Sequence, residues 1–439
     1  MTMGKNTALT SGAAVAVGSR PGSAGAATAA GTAAGARPVQ ASGAGSRGAA
    51  SGLDDSPLFR PAPEAAASSE PAAAAAAAKA RSRRLLVAGI IFVALALLPA
   101  VLPMFRVSLI GKYMCFAIVA LGLDMIWGYT GIMSLGHGVF FGLGAYCMAM
   151  HLKLVASTGN AGGLPDFMVW SGFDALPGWW APFASPGFAL IMVIVVPVVV
   201  AVAIGFLTFL NRIRGVYFAI LSQALAMIMS VLLVGSQQFT GGSNGLTNFS
   251  SILGASLSAP GTKMALYYVT LAVLVALFAL CFVLVHRRVG KALVAIRDSE
   301  NRLRFTGYNT AFFKVFVYAL SAAIAGIAGA LYVSQVGIIT PDDVAVSPSI
   351  EMIVWVAIGG RGTLVGPILG ALLVNGIKTF ASESFPDLWS YGLGLVCVVV
   401  ILFLPGGLMS IASVPARVRA WANRRFGKAK DAGYGEDLA

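Results

Sequence analysis

The sequence predicts an all-α polytopic membrane protein with about nine or ten transmembrane helices, one of them broken or re-entrant. Hydrophobic residues make up 58% of the 439 residues and charged residues only 11%, whereas soluble domains carry about 25% charged residues. The apolar residues gather in stretches of roughly 20, the length that crosses a bilayer as a helix. Lys and Arg gather between these stretches, as topology charges do, so the net charge of +13 does not indicate a nucleic-acid partner.

A tail of different composition, residues 1–84, precedes the first apolar stretch. It is rich in Ala, Gly, Ser and Pro and has few large apolar residues. Such a segment buries too little surface to offset the entropy of ordering, so we expect disorder. The basic cluster Arg81-Ser82-Arg83-Arg84 at its end predicts a cytosolic N-terminus.

Nine stretches between residues 85 and 410 are candidate spans of one transmembrane domain. They are 85–105, 107–127, 131–151, 187–210, 215–235, 264–285, 312–334, 350–378 and 388–410. The connections 152–186 and 236–263 contain few basic residues and are expected in the periplasm. Arg212, Arg214 and the strongly basic loop 286–311 are expected in the cytosol.

The eighth stretch, 350–378, is interrupted by Gly359-Gly360-Arg361-Gly362-Thr363. A single crossing there would place the basic tail, 411–439, outside, against the positive-inside rule. We therefore expect two short helices around an irregular turn, either re-entrant or as two tilted crossings. Irregular backbone within a membrane is tolerated where it lines a cavity, so the break predicts a position on the translocation path. The alternative is a simple kink and a tail that ignores the rule.

The basic loop 286–311 has the pattern of an amphipathic helix. Its apolar residues recur at the spacing of one helical face: Val289, Leu293, Ile296 and Leu303. Gly307 then ends the run, as a glycine often does after a helix. Such a helix suits docking into a groove on another protein or lying on the bilayer, and the pattern alone leaves both open.

Ionisable residues within apolar stretches are costly in lipid and are candidates for function. They are Asp124, His137, Glu351 and Arg361, and we expect Arg361 to face a cavity or to pair with Glu351. The glycine-rich run 128–138 contains His137 with Tyr129 and Ser134. Small residues permit close helix packing, but we favour a pathway for a polar solute for the cluster. The predicted substrate-pathway residues are Tyr129, Ser134, His137, Glu351 and Arg361.

Motifs for chemistry are missing from the sequence. Gly-Lys is never followed by Ser or Thr, so there is no nucleotide-binding Walker A loop, and neither a nucleophile elbow nor a zinc spacing occurs. We therefore expect a chain that is not an enzyme and that binds no metal or cofactor itself.

From about residue 107 to 410 the chain resembles permease subunits of ABC importers of the branched-chain amino-acid type, and within them the urea branch. The residues that carry the resemblance are 128–138, 164–169, 240–245, 294–300 and 349–364. The first and fourth of these segments are shared by the amino-acid and urea branches. The second and the last are closer to the urea branch.

The resemblance implies that the loop 286–311 couples the permease to ATPase subunits. Its coupling positions are Gly290, Arg297, Asp298, Glu300 and Gly307, although Asn301-Arg302 replaces the Ala-Ala of many such importers. It also implies a heterodimer with a second homologous permease subunit, two cytosolic ATPases that use ATP, and a periplasmic binding protein. The expected activity is import of urea or a short-chain amide across a bacterial inner membrane, with both termini cytosolic. The alternatives are a branched-chain amino-acid permease and an ion-coupled secondary transporter, which the lack of an internal repeat disfavours.

Overall fold

The computed structural model describes residues 70–158, 163–213, 215–384, 394 and 407–411. Most of these residues are helical, which confirms the predicted all-α class. The helices are α1 (Glu70–Leu97), α2 (Met104–Thr130), α3 (His137–Ser157), α4 (Asp166–Trp170), α5 (Pro186–Leu210), α6 (Val216–Gly235), α7 (Gln237–Thr240), α8 (Pro260–His286), α9 (Arg288–Phe305), α10 (Thr310–Val336), α11 (Val346–Gly359), α12 (Val365–Ser384) and α13 (Leu408–Ile411). Two antiparallel pairs of two-residue strands join β1 (Leu246–Thr247) to β4 (Ile338–Ile339) and β2 (Ser251–Ile252) to β3 (Ala255–Ser256).

Eight of the described helices are long and apolar enough to cross a membrane, which confirms the polytopic prediction: α1, α2, α3, α5, α6, α8, α10 and α12. The first seven predicted spans each match one of these helices, and 350–378 divides into the shorter α11 and α12. Apart from Gly394 and 407–410, the ninth predicted span lies outside the described residues, as does the tail beyond 411.

The first helix begins earlier than the composition predicts. We expected disorder up to residue 84, but α1 starts at Glu70. Residues 72–78 are all alanine, which has the highest helix propensity of any residue, and Pro71 suits the first turn of a helix. A helix in this part of the tail therefore needs no buried core. The predicted tail before residue 70 lies outside the described residues.

The third predicted span, 131–151, also differs at its start, because α3 begins only at His137. Gly131 ends α2 in the left-handed conformation, with φ +75°, which glycine adopts without steric cost. Residues 131–136 then form an irregular connection instead of a first turn and a half of helix.

The centre of the bundle is formed by α2, α3 and α10. In the apolar 18-residue part of each helix, 78% of the residues of α2 and α3 and 67% of those of α10 are buried. Only 17% are buried in α1. Glycines let α3 and α10 approach closely. A Cβ on Gly144 would overlap the backbone of Gly326, and a Cβ on Gly329 would overlap the carbonyl oxygen of Phe141. Small residues at crossing points are the usual means of tight packing in membranes.

Substituting Gly329→Ala is expected to destabilise the bundle by about 1–3 kcal/mol, the range for overpacking a filled core. The added methyl group can be accommodated only if α3 and α10 separate. The matched control is Gly376→Ala in α12, where an added Cβ meets nothing within 4 Å. Thermal unfolding of the purified importer in detergent measures the difference, and equal melting temperatures for the two variants would contradict the close approach.

The bundle has two ends, which we name the α9 end and the opposite end. The guanidinium of Arg81 in α1 lies 5.2 Å from the ring of Phe282, near the end of α8, so α1 starts at the α9 end. Arg106 in the first turn of α2 lies 3.7 Å from Glu383 in α12, so α12 finishes at the opposite end. Gly407 lies against Gly360, in the turn between α11 and α12.

The segment before α11 enters the bundle as backbone that is not α-helical, with β4 followed by a 3-10 turn at Pro341–Val344. Val344 packs against Gly142 of α3, about 22 Å along that helix from its end at Ser157. The crossing towards the α9 end therefore consists of the segment 337–345 followed by α11, and α12 crosses back. Backbone that is not α-helical is tolerated at this position because protein surrounds it.

Candidate functional site

The amphipathic helix predicted in the basic loop is α9, and part of its apolar face is covered by the chain's own helices. Gly290, Leu293 and Ile296 are buried, whereas Lys291 and Asp298 are exposed. A single residue joins α8 to α9, so α9 folds back against α2, α8 and α10. Leu293 and Ile296 therefore pack inside the chain, whereas Val289 and Leu303 are half-buried and line a groove beside the helix.

The Glu300 carboxylate fixes the second half of α9 to α10. It accepts hydrogen bonds from Arg304 (2.8 Å) and from the Thr310 hydroxyl (3.1 Å), and Lys314 lies 2.8 Å away as an ion-pair partner. The side chains of Glu300 and Lys314 are only 11% and 8% exposed. This predicted coupling residue therefore holds the helix in place from the inside.

The two glycines of the predicted coupling set differ in their reasons for being glycine. A Cβ on Gly290 would overlap the carbonyl oxygen of Val285, because α9 starts so close to α8. Gly307 has open space around it but a φ of +86°, in the left-handed region that disfavours side chains. The left-handed Gly307 ends α9, as the sequence predicts. Within α9 the helix is interrupted at Ser299.

Arg297 connects α9 to α2, and Asp124 connects α2 to the turn between α11 and α12. The guanidinium of Arg297 donates a 2.8 Å hydrogen bond to the Gly128 carbonyl in α2 and pairs with Asp298 at 3.0 Å. Four residues before Gly128, the fully buried Asp124 accepts hydrogen bonds from the backbone N–H groups of Gly362 (2.6 Å) and Leu364 (3.1 Å). This carboxylate therefore fastens the turn to α2.

The structure corrects two expectations for Arg361. The turn that contains it joins two helices that cross in opposite directions, which confirms the expected pair of helices around a turn, but it lies at the α9 end and not within the bundle. Arg361 is exposed, with its guanidinium 5.8 Å from the ring of Trp127. It does not pair with Glu351, which pairs with Lys378 instead.

The cluster 128–138 forms a junction between helices. The fully buried His137 side chain makes a 2.7 Å hydrogen bond with the hydroxyl of Ser321, which donates to the Gly122 carbonyl at 2.6 Å. Ser134 is also fully buried, and Tyr129 is 6% exposed. These contacts fit the packing role that the sequence leaves open. A role of Tyr129, Ser134 and His137 in the substrate pathway stays a prediction.

The Glu351 side chain instead opens into a cavity of about 360 Å³ between α2, α11 and α12. Lys378 donates to both carboxylate oxygens of Glu351 at 2.8 Å. Other charged, polar and aromatic side chains that line the cavity include Lys112, Phe116, Tyr332, Asp343, Trp355 and Asn375. Lys112 lies about 12 Å along α2 from Met104. Among the described residues, five charged side chains line the cavity, namely Lys112, Asp343, Glu351, Lys378 and Glu383, and Lys112 lies well inside the end of the bundle.

Three charged residues that line the cavity were not among the candidates from the sequence: Lys112, Asp343 and Lys378. The signal for Lys112 was a charge inside an otherwise apolar helix, the same signal that singled out Asp124. Asp343 and Lys378 gave no such signal, because each was placed in a connection or at the end of a span. In the described part of the chain, no three His, Cys, Asp or Glu side chains converge as a metal site would require.

Comparison with known proteins places the chain in a family. Residues 105–404 match the family model described as "Branched-chain amino acid transport system / permease component". The high-affinity branched-chain amino acid transport system permease protein LivM of Salmonella typhimurium is 25% identical over 70% of each chain. LivM of Escherichia coli K12 is 26% identical over 67% of this chain and 68% of its own. BraD of Pseudomonas aeruginosa is 22% identical over 67% and 91%.

No solved structure matches the chain. The relatives above are named for branched-chain amino acids, so they fit the alternative that the sequence left open and give no support to the urea branch. The family model covers well over half of the chain. The chain therefore belongs to the family of permease components of branched-chain amino-acid transport systems, which are subunits of ABC importers.

Proposed function

We propose that this chain is one of two membrane subunits of an ATP-driven importer that carries branched-chain amino acids into a bacterial cell. The observation that carries the proposal is the attachment of α9 to the neighbouring helices. Its apolar face and Glu300 fix it to α2 and α10, while its charged face stays exposed. A helix held in this way moves the bundle when a partner pushes it.

The α9 end faces the cytosol in this proposal, because the basic loop and the Arg81–Arg84 cluster both lie there. A groove of about 390 Å³ beside α9 offers a docking surface for an ATPase subunit. It is lined by Arg288, Val289, Lys291, Ala292, Ala295, Leu303, Tyr308 and Phe313. The importer also comprises a second homologous permease, two ATPases that hydrolyse ATP, and a binding protein at the opposite end.

Coupling runs through α2. When the ATPases close on ATP, α9 moves, and the hydrogen bond from Arg297 transmits the movement to Gly128. Asp124 carries the turn between α11 and α12 along with α2. All three of these helices line the cavity around Glu351. The importer thus alternates between two states that are biased from both ends.

The charged side chains in the cavity favour an amino acid as the cargo. An amino acid is a zwitterion and needs partners of both signs, whereas urea is neutral and needs only hydrogen-bond groups. The cavity offers Lys112 and Lys378 together with Asp343 and Glu351. The names of the relatives support the same choice. Urea, which the sequence motifs favoured, remains the competing cargo.

Uptake measurements decide between the two cargoes. Cells with and without this chain are given labelled leucine or labelled urea, with ATP depletion as a control. We expect ATP-dependent leucine uptake to disappear with the chain and urea uptake to stay unchanged. Loss of urea uptake that excess leucine does not block would overturn the proposed cargo and restore the urea branch.

A further inference from the structure

The ammonium group of Lys112 is the unusual charge in the cavity between α2, α11 and α12. Among the described residues it makes no ion pair; instead it lies 5.7 Å from the ring centre of Phe116 and 5.6 Å from that of Tyr332. A lysine placed this far along a membrane-spanning helix is costly unless a partner or a function compensates. The site therefore has one positive charge to which an anionic group can be added.

The other charges of the cavity already have partners inside the chain. Asp343 accepts hydrogen bonds from the backbone N–H and the hydroxyl of Thr340, both at 3.0 Å. Glu351 and Lys378 form a 2.8 Å ion pair. This pair holds a carboxylate and an ammonium side by side, as an amino acid does, and it is the arrangement that a zwitterion can exchange with.

Aromatic rings close one side of the same cavity. The ring of Phe116 lies 4.8 Å from that of Trp355 and 5.6 Å from that of Tyr332. Met352 adds to this apolar wall. A branched aliphatic side chain placed against these groups would lose its contact with water. The volume, about 360 Å³, lies within the range of small-ligand sites, roughly 300–1,000 Å³.

We propose that Lys112 and Glu351 form a binding subsite for zwitterionic amino acids on their way through the permease. Lys112 binds the substrate carboxylate, and Glu351 exchanges Lys378 for the substrate ammonium. Lys378 then joins Lys112 at the carboxylate, so every charge keeps a partner. The wall of Phe116, Met352 and Trp355 receives the aliphatic side chain. This inference rests on the proposed function.

The position of the subsite fits passage from one end to the other. The segment 337–345, which includes β4 and a 3-10 turn, brings Asp343 into the cavity, and α11 starts beside it. A crossing that is only partly α-helical exposes backbone groups inside the bundle, as the discontinuous helices at many transporter substrate sites do. The exposed pair of Arg106 and Glu383 marks the rim at the opposite end, where a binding protein would release its cargo.

The test uses the complete importer in proteoliposomes, with the binding protein and labelled leucine at a saturating concentration. Because the binding protein selects the ligand first, the readout is leucine transported per ATP hydrolysed. We expect Lys112→Gln and Glu351→Gln to lower this ratio at least about tenfold, roughly 1.4 kcal/mol. ATP hydrolysis stimulated by liganded binding protein is expected to persist. Lys112→Arg, which keeps the charge, is expected to restore much of the ratio.

The matched control is Lys263→Gln, another lysine near the opposite end that lies outside this cavity. A wild-type importer that moves no leucine would overturn the proposed function itself. A wild-type importer that moves leucine while Lys112→Gln keeps the same ratio would overturn only the subsite. Equal losses in Lys112→Gln and Lys112→Arg would also contradict binding of the carboxylate by charge.

Discussion

Replacing Asp124 by alanine is expected to abolish transport and to lower the melting temperature of the importer. The carboxylate accepts the N–H groups of Gly362 and Leu364, and no water reaches it. Without it, two backbone donors lose their acceptor, at about 1–3 kcal/mol for each buried group. The turn between α11 and α12 would then detach from α2, and the cavity would lose its link to α9.

An intermediate variant separates these effects. Asp124→Asn keeps one acceptor oxygen and should retain part of both stability and uptake. Asp174→Asn, an exposed aspartate in the connection after α4, is the control and should change neither. Thermal unfolding and leucine uptake measured on all three variants test the assignment. Wild-type uptake in Asp124→Ala would refute the role of the turn.

Removing the Glu300 carboxylate is expected to have the second largest effect. In Glu300→Gln the ammonium of Lys314, 8% exposed, loses its 2.8 Å ion pair with this carboxylate. Breaking one partner of a buried pair typically costs about 3–5 kcal/mol, because the remaining charge stays buried. The second half of α9 should loosen from α10, so ATP hydrolysis no longer drives uptake.

A double variant provides the control for Glu300. Glu300→Gln with Lys314→Met removes both charges of this buried ion pair together. We expect the double variant to recover much of the melting temperature but little of the coupling between ATP hydrolysis and uptake. Recovery of both would mean that coupling does not require the attachment of α9 to α10 at Glu300, and this would contradict the proposal.

The positions of the spans were predictable because length and hydropathy alone define them. α2, α5 and α10 lie where apolar stretches of the right length occur, and the glycine motif marked the turn between α11 and α12. Helix starts were less predictable. His137 begins α3 later than expected because backbone conformation at Gly131 and tertiary hydrogen bonds, rather than composition, set that boundary.

The pairing of charges could not be read from the sequence. Glu351 and Arg361 are ten residues apart, so along a helix they lie about 15 Å from each other and cannot meet. Lys378, much further along the chain, returns to Glu351 because α12 runs antiparallel to α11. The prediction that Glu351 pairs with Arg361 was therefore wrong. It relied on closeness in sequence, whereas the pairing depends on how α11 and α12 pack against each other.

Helix α2 fixes the angular relation between the two ends of the permease. Lys112 and Asp124 are twelve residues apart on this helix, about 18 Å in rise and three and a third turns in rotation. One residue added between them would turn the lysine by about 100° relative to the aspartate. Either Lys112 would no longer face the cavity or Asp124 would no longer reach the turn. The rotation along α2, and not its length alone, thus sets how the cavity around Lys112 is oriented relative to the turn that Asp124 binds.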